Sequence, residues 1–277
     1  MDIPRIPVGQ TIETFIDFLV DNFSFATKAF SAVLDAGLDV VEGGMRALPP
    51  WLFIIIVALI TWRLARSKRT TIFAIAGLLL IWNMGLWNAT ISTISLVIVS
   101  TLLALMIGIP IGIMAAMNKY VHKIIMPTLD VMQTMPAFVY LIPAIPFFGL
   151  GKVAAIFSTI IFAMPPSIRL TCLGIKQVPT ELVECAEAFG STRWQRLVKL
   201  ELPIATPTIM AGVNQTVMLA LSMVVIAAMI GAKGLGGEVW KAIQRLQMGK
   251  GFEAGIGIVI VAMIMDRVLQ KIGSGKK

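Results

Sequence analysis

Seven apolar segments follow one another along this chain of 277 residues, and each approaches the length of a membrane-spanning helix. Such a helix needs about 20 apolar residues, with a range of about 17 to 25. The segments are residues 51–64, 71–87, 91–117, 129–150, 153–170, 205–230 and 254–269. Because a backbone in lipid must satisfy its own hydrogen bonds, the pattern predicts an all-α polytopic membrane protein with six to seven transmembrane helices.

Composition supports this class. Hydrophobic residues make up 57% of the chain and charged residues only 14%, whereas about 25% is usual in soluble domains. The net charge of +8 does not indicate nucleic-acid binding, because the basic residues lie at the ends of apolar segments. Cys172 and Cys185 form no CxxC pair and His122 is the only histidine, so neither a metal site nor a catalytic site is predicted.

Lysine and arginine also predict the orientation of the chain. Most of the 23 basic residues fall on the side of residues 179–203, so the positive-inside tendency places that stretch and the C-terminus in the cytoplasm and the N-terminus outside. Lys233, Lys241, Arg245 and Lys250 are an exception, because they would then lie outside.

Residues 11–45 precede the apolar segments and predict an amphipathic helix. Ile12, Ile16 and Leu19 recur at helical spacing, and Glu13 and Asp17 lie on the opposite face. Such a helix can lie in the membrane interface. It can equally pack on the rest of the protein, and the pattern favours neither alternative.

A polar segment, residues 179–203, interrupts the apolar runs with PTELVECAEAFGSTRWQRLVKLELP. We expect Thr180 to cap a first helix and Gly190 to end it. Thr192 and Gln195 have the spacing of a capping box for a second helix, and Pro203 is expected to end that one. The polar segment therefore predicts two short helices that dock on a partner, with an ordinary solvated loop as the alternative.

Within the polar segment, Glu184, Ala186 and Gly190 are followed after nine residues by Leu-Glu-Leu-Pro at 200–203. This resembles the EAA loop of permeases of ATP-binding cassette importers, in which EAA, three residues, glycine, nine residues and IxLP follow one another. Cys185 replaces the second-position alanine, and a leucine replaces the isoleucine.

Three further stretches resemble the glycine betaine and proline subfamily of osmoprotectant importers, and the resemblance covers roughly residues 90–267. They are QTMPAFVYLIPA at 133–144, FAMPPSIRLT at 162–171 and LALSMVVIAAMIGAKGLG at 219–236. The resemblance implies a MetI-like transmembrane fold. It also implies an N-terminal segment at 1–48, peripheral helices at 49–89 and a permease core at 90–272.

The resemblance further implies how such a chain works. Two permease copies would form the pathway in a bacterial cell membrane, two cytoplasmic ATPase subunits carrying ATP and Mg²⁺ would dock on the EAA loops, and an external binding protein would deliver a compatible solute such as glycine betaine. The chain itself would carry no cofactor and catalyse no reaction. The residues expected to couple to the ATPase are Glu184, Ala186, Phe189, Gly190 and Pro203.

Polar residues inside apolar segments are candidates for the translocation pathway, because they are costly in lipid unless they meet water or each other. They are Gln133, Thr134, Asn214, Gln215 and Ser222, together with Pro136 where the fourth segment is expected to break. Hydrogen bonding between helices is the alternative. Gly108 and Gly112 form a GxxxG pattern that indicates either a close helix contact or a chance match.

Other functions find less support in the sequence. A permease for an amino acid or another small solute remains open. An ion-coupled transporter would want carboxylates or charged rings at mid-membrane, whereas Asp130, Lys152, Glu253 and Asp266 are expected at span ends. A membrane enzyme would need paired aspartates, HExxH or a nucleophile with a base. An ATP site would need a phosphate-binding loop, and GSGK at 273–276 lacks its first glycine.

Overall fold

The computed structural model describes residues 8–65 and 67–273, and every regular element within them is helical. The α-helices are α1 (Val8–Ala47), α2 (Pro50–Ala65), α3 (Lys68–Asn83), α4 (Trp87–Met117), α5 (Lys119–Thr134), α6 (Leu141–Phe148), α7 (Lys152–Ala163), α8 (Pro165–Lys176), α9 (Thr180–Ala188), α10 (Arg193–Arg196), α11 (Leu202–Ala227), α12 (Leu235–Gln244) and α13 (Met248–Gly273). Short 3₁₀ turns at Ala137–Tyr140 and Ala228–Ile230 and a π-helical turn at Leu197–Glu201 join some of them.

Three helical stretches are long and apolar enough to cross a bilayer, namely Trp87–Met117, Lys152–Lys176 and Arg193–Ile230. Two bent pairs, Thr27–Ala47 with Pro50–Leu64 and Lys119–Thr134 with Ala137–Phe148, raise this number to five if each counts as one span. The all-α multi-pass class is confirmed. The number of six to seven spans stays a prediction, because α2 and α3 have 16 residues each and are only about 24 Å long.

The centre of the bundle is the packing of α4, α7, α8 and α11. Glycines allow α4 to approach α8 closely: a Cβ atom on Gly112 would lie 2.7 Å from the carbonyl oxygen of Ile168, and one on Gly108 would lie 2.0 Å from Oγ of Ser167. The GxxxG pattern therefore marks a true close contact between helices, as small residues do in membrane bundles.

The fourth apolar segment is broken, as its prolines predict. Pro136 lies between α5 and the 3₁₀ turn, and the two halves of the segment meet at 112°. The hydroxyl of Tyr140 donates to the carbonyl of Met132, and Oγ of Ser158 donates to the carbonyl of Tyr140 over 3.0 Å. These bonds satisfy backbone groups that the break would leave unpaired.

Prolines act differently in the fifth segment. Pro165 and Pro166 occupy the first turn of α8, where a helix has no use for their missing N–H groups. The stretch Lys152–Lys176 thus remains one candidate span despite the interruption after Ala163.

The C-terminal half of α1 packs on the bundle, which supports the packed alternative for that half. Leu34 and Leu38 are buried. Nζ of Lys152, the first residue of α7, lies 3.0 Å from a carboxylate oxygen of Asp35 and 2.6 Å from one of Asp39. Because α8 ends at Lys176, just before the polar segment, α1 lies at the opposite end of the bundle.

The N-terminal half of α1 is different, since it presents apolar side chains outward. Ile12, Phe18 and Phe25 are exposed. Such a face suits the membrane interface, so the interfacial alternative stays a prediction for this half alone.

Candidate functional site

The first helix of the polar segment ends where its sequence predicts. Gly190 follows α9 with φ of 76°, a left-handed conformation that glycine adopts without steric cost. Its N–H donates to the carbonyl of Glu187 over 2.9 Å, and the N–H of Ser191 donates to that of Ala186 over 3.0 Å. These two bonds form a Schellman motif, which satisfies the last carbonyls of the helix.

The start of α9 differs from the expectation, so the prediction of a Thr180 cap is wrong. The residue that caps the helix is Pro179, and Thr180 is already helical. The carbonyl of Pro179 accepts from the N–H groups of Leu182 and Val183 over 3.1 and 3.3 Å. The rigid φ of proline thus starts the helix one residue earlier than a threonine cap would.

The start of α10 confirms the capping box. The N–H of Gln195 donates to Oγ1 of Thr192 over 3.3 Å, and the N–H of Thr192 donates to Oε1 of Gln195 over 3.0 Å. Each side chain thereby satisfies a backbone donor that the first turn leaves free.

Pro203 does not end the second helix, contrary to the sequence prediction. It is the second residue of α11, and the helix runs without a break from Arg193 to Ile230 over 38 residues. The π-helical turn before it makes this possible, since the N–H of Leu202 bonds to the carbonyl of Leu197, one residue further back than in an α-helix. The polar segment is therefore continuous with a membrane helix.

Arg196 joins the two helices of the polar segment, a role that sequence reasoning missed. Its guanidinium pairs with Glu187 of α9, and its Nε lies 2.8 Å from Oε1 of Glu201. Glu201 is only 7% exposed, so the ion pair with Arg196 offsets part of the cost of burying it. Arg196 and Glu187 are nine positions apart across a turn, and no helical spacing signals their contact.

The outer face of the polar segment is open and partly apolar. Glu184 is exposed and Ala186 is half-buried, while Phe189 is 88% and Trp194 70% exposed. Pro203, at the start of α11, is exposed as well. Large apolar side chains held outward on capped helices are typical of a protein-docking surface.

The candidate pathway residues fall into separate groups. Gln133, Thr134 and Pro136 are exposed where α5 ends and the chain breaks. Gln215 and Ser222 are exposed on α11, and their spacing of seven residues places them on one face. The turn Ala137–Tyr140, which follows the first group, contacts α11, the helix that carries Gln215 and Ser222.

Asn214 points elsewhere. Its Nδ2 donates to Oδ1 of Asp266 in α13 over 2.9 Å, and the same carboxylate accepts two bonds of 2.8 Å from Gln270. The structure thus favours the interhelical alternative for Asn214 alone. Asp266 was expected to be a residue at a span end, but it holds α11 and α13 together.

The larger part of the chain matches a known family of membrane proteins. Residues 108–272 match the family described as the binding-protein-dependent transport system inner membrane component. The chain belongs to this family. The matched region of this permease subunit contains the polar segment and both groups of pathway candidates, and it leaves out α1, α2 and α3.

Curated relatives cover almost the whole permease. It is 48% identical over 275 residues to the glycine betaine transport system permease protein OpuAB of Bacillus subtilis, across 99% of this chain and 97% of the relative. It is 50% identical over 275 residues to the glycine betaine/carnitine transport permease protein GbuB of Listeria monocytogenes, across 97% and 96%. The resemblance to importer permeases of the glycine betaine subfamily, stated from the EAA loop and three further stretches, is confirmed.

A solved structure shares the fold. A chain of the inward-facing MetNI methionine ABC transporter superposes with a TM-score of 0.57 over 75% of this chain and 96% of its own length, at 21% identity. The MetI-like fold expected from the sequence is thereby confirmed.

Proposed function

We propose that this permease is the subunit through which a cytoplasmic ATPase drives the import of a compatible solute. Glycine betaine is the first candidate, because the names of two relatives at 48% and 50% identity include it. Carnitine, proline and choline-type quaternary ammonium compounds form the wider class. The division of the chain into an N-terminal segment at 1–48, peripheral helices at 49–89 and a permease core at 90–272 is part of this proposal.

The observation that carries the proposal is the continuity of the polar segment with α11. Phe189 projects from α9, Arg196 ties α9 to Glu201, and the helix that contains Arg196 continues to Ile230. A force applied to α9 from the cytoplasm therefore reaches the face of α11 that carries Gln215. Such a linkage suits a bundle that alternates between two arrangements.

The partners follow from this arrangement. Two ATPase subunits, each holding ATP and Mg²⁺, would dock on the polar segments of two permease copies, and Glu184, Ala186, Phe189, Gly190 and Pro203 would form the contact. An external binding protein would deliver the solute, in keeping with the description of the family as binding-protein-dependent. The permease would carry out no catalysis and hold no cofactor.

Uptake in proteoliposomes with the matching ATPase and binding protein tests the whole proposal. Phe189→Ala is expected to lower co-purification of the ATPase and betaine-stimulated ATP hydrolysis at least tenfold. Phe25→Ala is the matched control, since Phe25 is 86% exposed on α1. Uptake that persists without the ATPase would contradict the proposal, and uptake of carnitine or proline alone would overturn only the solute.

A native cysteine allows the proposed orientation in the membrane to be tested. Cys185 of the polar segment is exposed and Cys172 is buried. A membrane-impermeant maleimide is expected to label Cys185 of the permease in inside-out vesicles and to leave it unlabelled in intact cells. Labelling in intact cells would reverse the orientation, with the N-terminus then inside.

The proposed pathway has its own test. In a background without native cysteines, Gln215→Cys and Ser222→Cys are expected to react with a water-soluble thiol reagent in at least one nucleotide state, as are cysteines at Gln133 and Thr134. Val217→Cys is the control, because Val217 is buried. If none of the four reacts faster than this control, the exposed face of α11 does not line a water-filled route.

A further inference from the structure

An apolar cleft of about 800 Å³ lies between α12 and α13 and extends to α3. The two helices run antiparallel, since a Cβ atom on Gly257 would lie 3.2 Å from Leu235 and one on Gly251 would lie 3.4 Å from Ala242. The cleft is lined mainly by Ile243, Leu246, Phe252, Ile256, Val259 and Phe73.

The cleft opens at the end of the bundle opposite the polar segment. The N–H of Leu235, at the start of α12, donates to Oγ1 of Thr93 near the start of α4 over 2.8 Å. The neighbouring Ser92 donates to Glu42 of α1 over 2.7 Å. Asn214, in the first half of α11, bonds to Asp266 near the end of α13, so α13 runs toward the polar segment and its start lies at the other end. The α12–α13 turn therefore lies at the same end as α1.

One residue of the cleft has an unusual backbone. Leu246 adopts φ of 55°, the only positive φ among the described residues that are not glycine. A leucine in this conformation is strained, and glycine is the residue expected there. Its side chain is 84% exposed although it lines the cleft. Leu246 ends α12 in a Schellman motif, since its N–H donates to the carbonyl of Ile243 over 3.2 Å and the N–H of Gln247 donates to that of Ala242 over 2.9 Å. The turn thus holds an apolar side chain outward at the cleft, where glycine would present none.

The rim of the cleft is basic. Lys241, Arg245 and Lys250 surround the α12–α13 turn, and all three are exposed. Lys241 pairs with Glu238 at 2.9 Å. Within residues 8–65 and 67–273, Arg245 and Lys250 pair with no acid. Lys241, Arg245 and Lys250 are three of the four basic residues that the positive-inside tendency leaves unexplained.

We propose that the cleft holds an acyl chain of an anionic phospholipid, with the phosphate at Arg245 and Lys250. The leaflet is the one on the side of α1, opposite the polar segment. From Met248 to Met263 the lining of α13 rises by about 22 Å, which exceeds the half-thickness of about 15 Å that one leaflet offers. The apolar lining suits the chain, and the two free cations suit the negative headgroup.

The first arm of the test fills the cleft. Gly255 lines it and has no atom within 4 Å of a Cβ position, so Gly255→Leu occupies the space without a clash. Native mass spectrometry follows lipid retained by the full chain after incubation with equal phosphatidylglycerol and phosphatidylcholine. Wild type is expected to retain one phosphatidylglycerol, and Gly255→Leu to lose at least tenfold of that occupancy. Gly37→Leu, on α1 and equally open, is expected to retain it.

The second arm removes the charge. Arg245→Gln with Lys250→Gln is expected to reduce the preference for phosphatidylglycerol over phosphatidylcholine about thirtyfold, because each basic residue near a lipid surface contributes about 1 kcal/mol and about 1.4 kcal/mol corresponds to a factor of ten. Lys119→Gln with Lys123→Gln, at the other end of the bundle, is the matched control and is expected to keep the preference.

Three outcomes would overturn the proposal. Equal lipid retention by wild type and Gly255→Leu would show that the lipid binds elsewhere. An equal loss of preference in both charge variants would show a general surface effect. Dissociation of a dimer by Gly255→Leu, with lipid unchanged, would assign the cleft to a second copy of the chain. Thermal unfolding in lipid-free detergent checks that Gly255→Leu folds, and the charge arm stands independently.

Discussion

The polar segment and the α4–α8 contact are stabilised in opposite ways. In the polar segment, α9 has no fully buried residue, and its shape depends on caps, turn hydrogen bonds and Arg196. At the α4–α8 contact, Gly108 and Gly112 are buried and the backbones nearly touch. The segment can therefore move as a unit on a bundle that resists deformation, because close-packed interiors tolerate little change in volume.

The largest expected effect is at the α4–α8 contact. Gly112→Val places side-chain atoms where a Cβ atom already lies 2.7 Å from the backbone of Ile168. Overpacking of this kind costs about 3 kcal/mol at the upper end of its usual range. Thermal unfolding in detergent is expected to show this loss, whereas Gly44→Val, on α1 with no atom within 4 Å, should not. Equal stability of the two variants would contradict a rigid α4–α8 contact.

A smaller loss of stability is expected from a change where the polar segment joins α11. Arg196→Met leaves the 7% exposed Glu201 without its cation, which costs about 2 kcal/mol. Hydrogen exchange should accelerate in α9 and in the π-helical turn but not in α4. Adding Glu201→Gln should restore part of the loss, since the unpaired charge is then gone. Strict additivity of the two changes would show that the pair does not hold the segment.

Gly190→Ala tests the turn between the two helices. No atom lies within 4 Å of a Cβ position there, so the effect comes only from φ of 76° and amounts to about 1 kcal/mol. Gly190→Asn should cost less, because asparagine tolerates the left-handed region. Denaturant unfolding compares the two, and an equal cost would point to a cause other than backbone conformation.

The smallest expected change in stability belongs to Phe189→Ala. The side chain is 88% exposed, so the free energy of unfolding should shift by less than about 0.5 kcal/mol. Together with the loss of ATPase binding proposed above, this would separate docking from folding. A marked drop in melting temperature would instead place Phe189 among the residues that hold the segment in shape.

Local interactions explain what the sequence could predict. Caps and glycine stops involve neighbours within a few residues, so Gly190 and the Thr192–Gln195 box were predictable. Gly108 and Gly112 indicated either a close helix contact or a chance match, since the spacing alone does not show whether another helix lies opposite. The broken fourth segment followed from Pro136, because a proline deletes a helical hydrogen bond wherever it lies.

Interactions between distant residues explain what the sequence could not predict. The bond between Asn214 and Asp266 joins residues 52 positions apart, and Arg196 reaches Glu187 across a turn. Pro203 was misjudged for another reason: a π-helical turn lets a helix pass a proline by shifting one bond, and no residue pattern in 197–201 signals it.

The π-helical turn at Leu197–Glu201 gives the long helix two unequal arms. Its outer arm, α10, is one turn long, whereas α11 extends about 40 Å beyond the joint. Backbone hydrogen bonding continues through this turn, so a small swing of α10 is passed on to α11 and changes its tilt. A tilt of about 5° moves the far end of α11 by about 3.5 Å, because α11 is about 40 Å long. The position of one irregular turn thereby sets how far the opposite end of α11 moves when the polar segment moves.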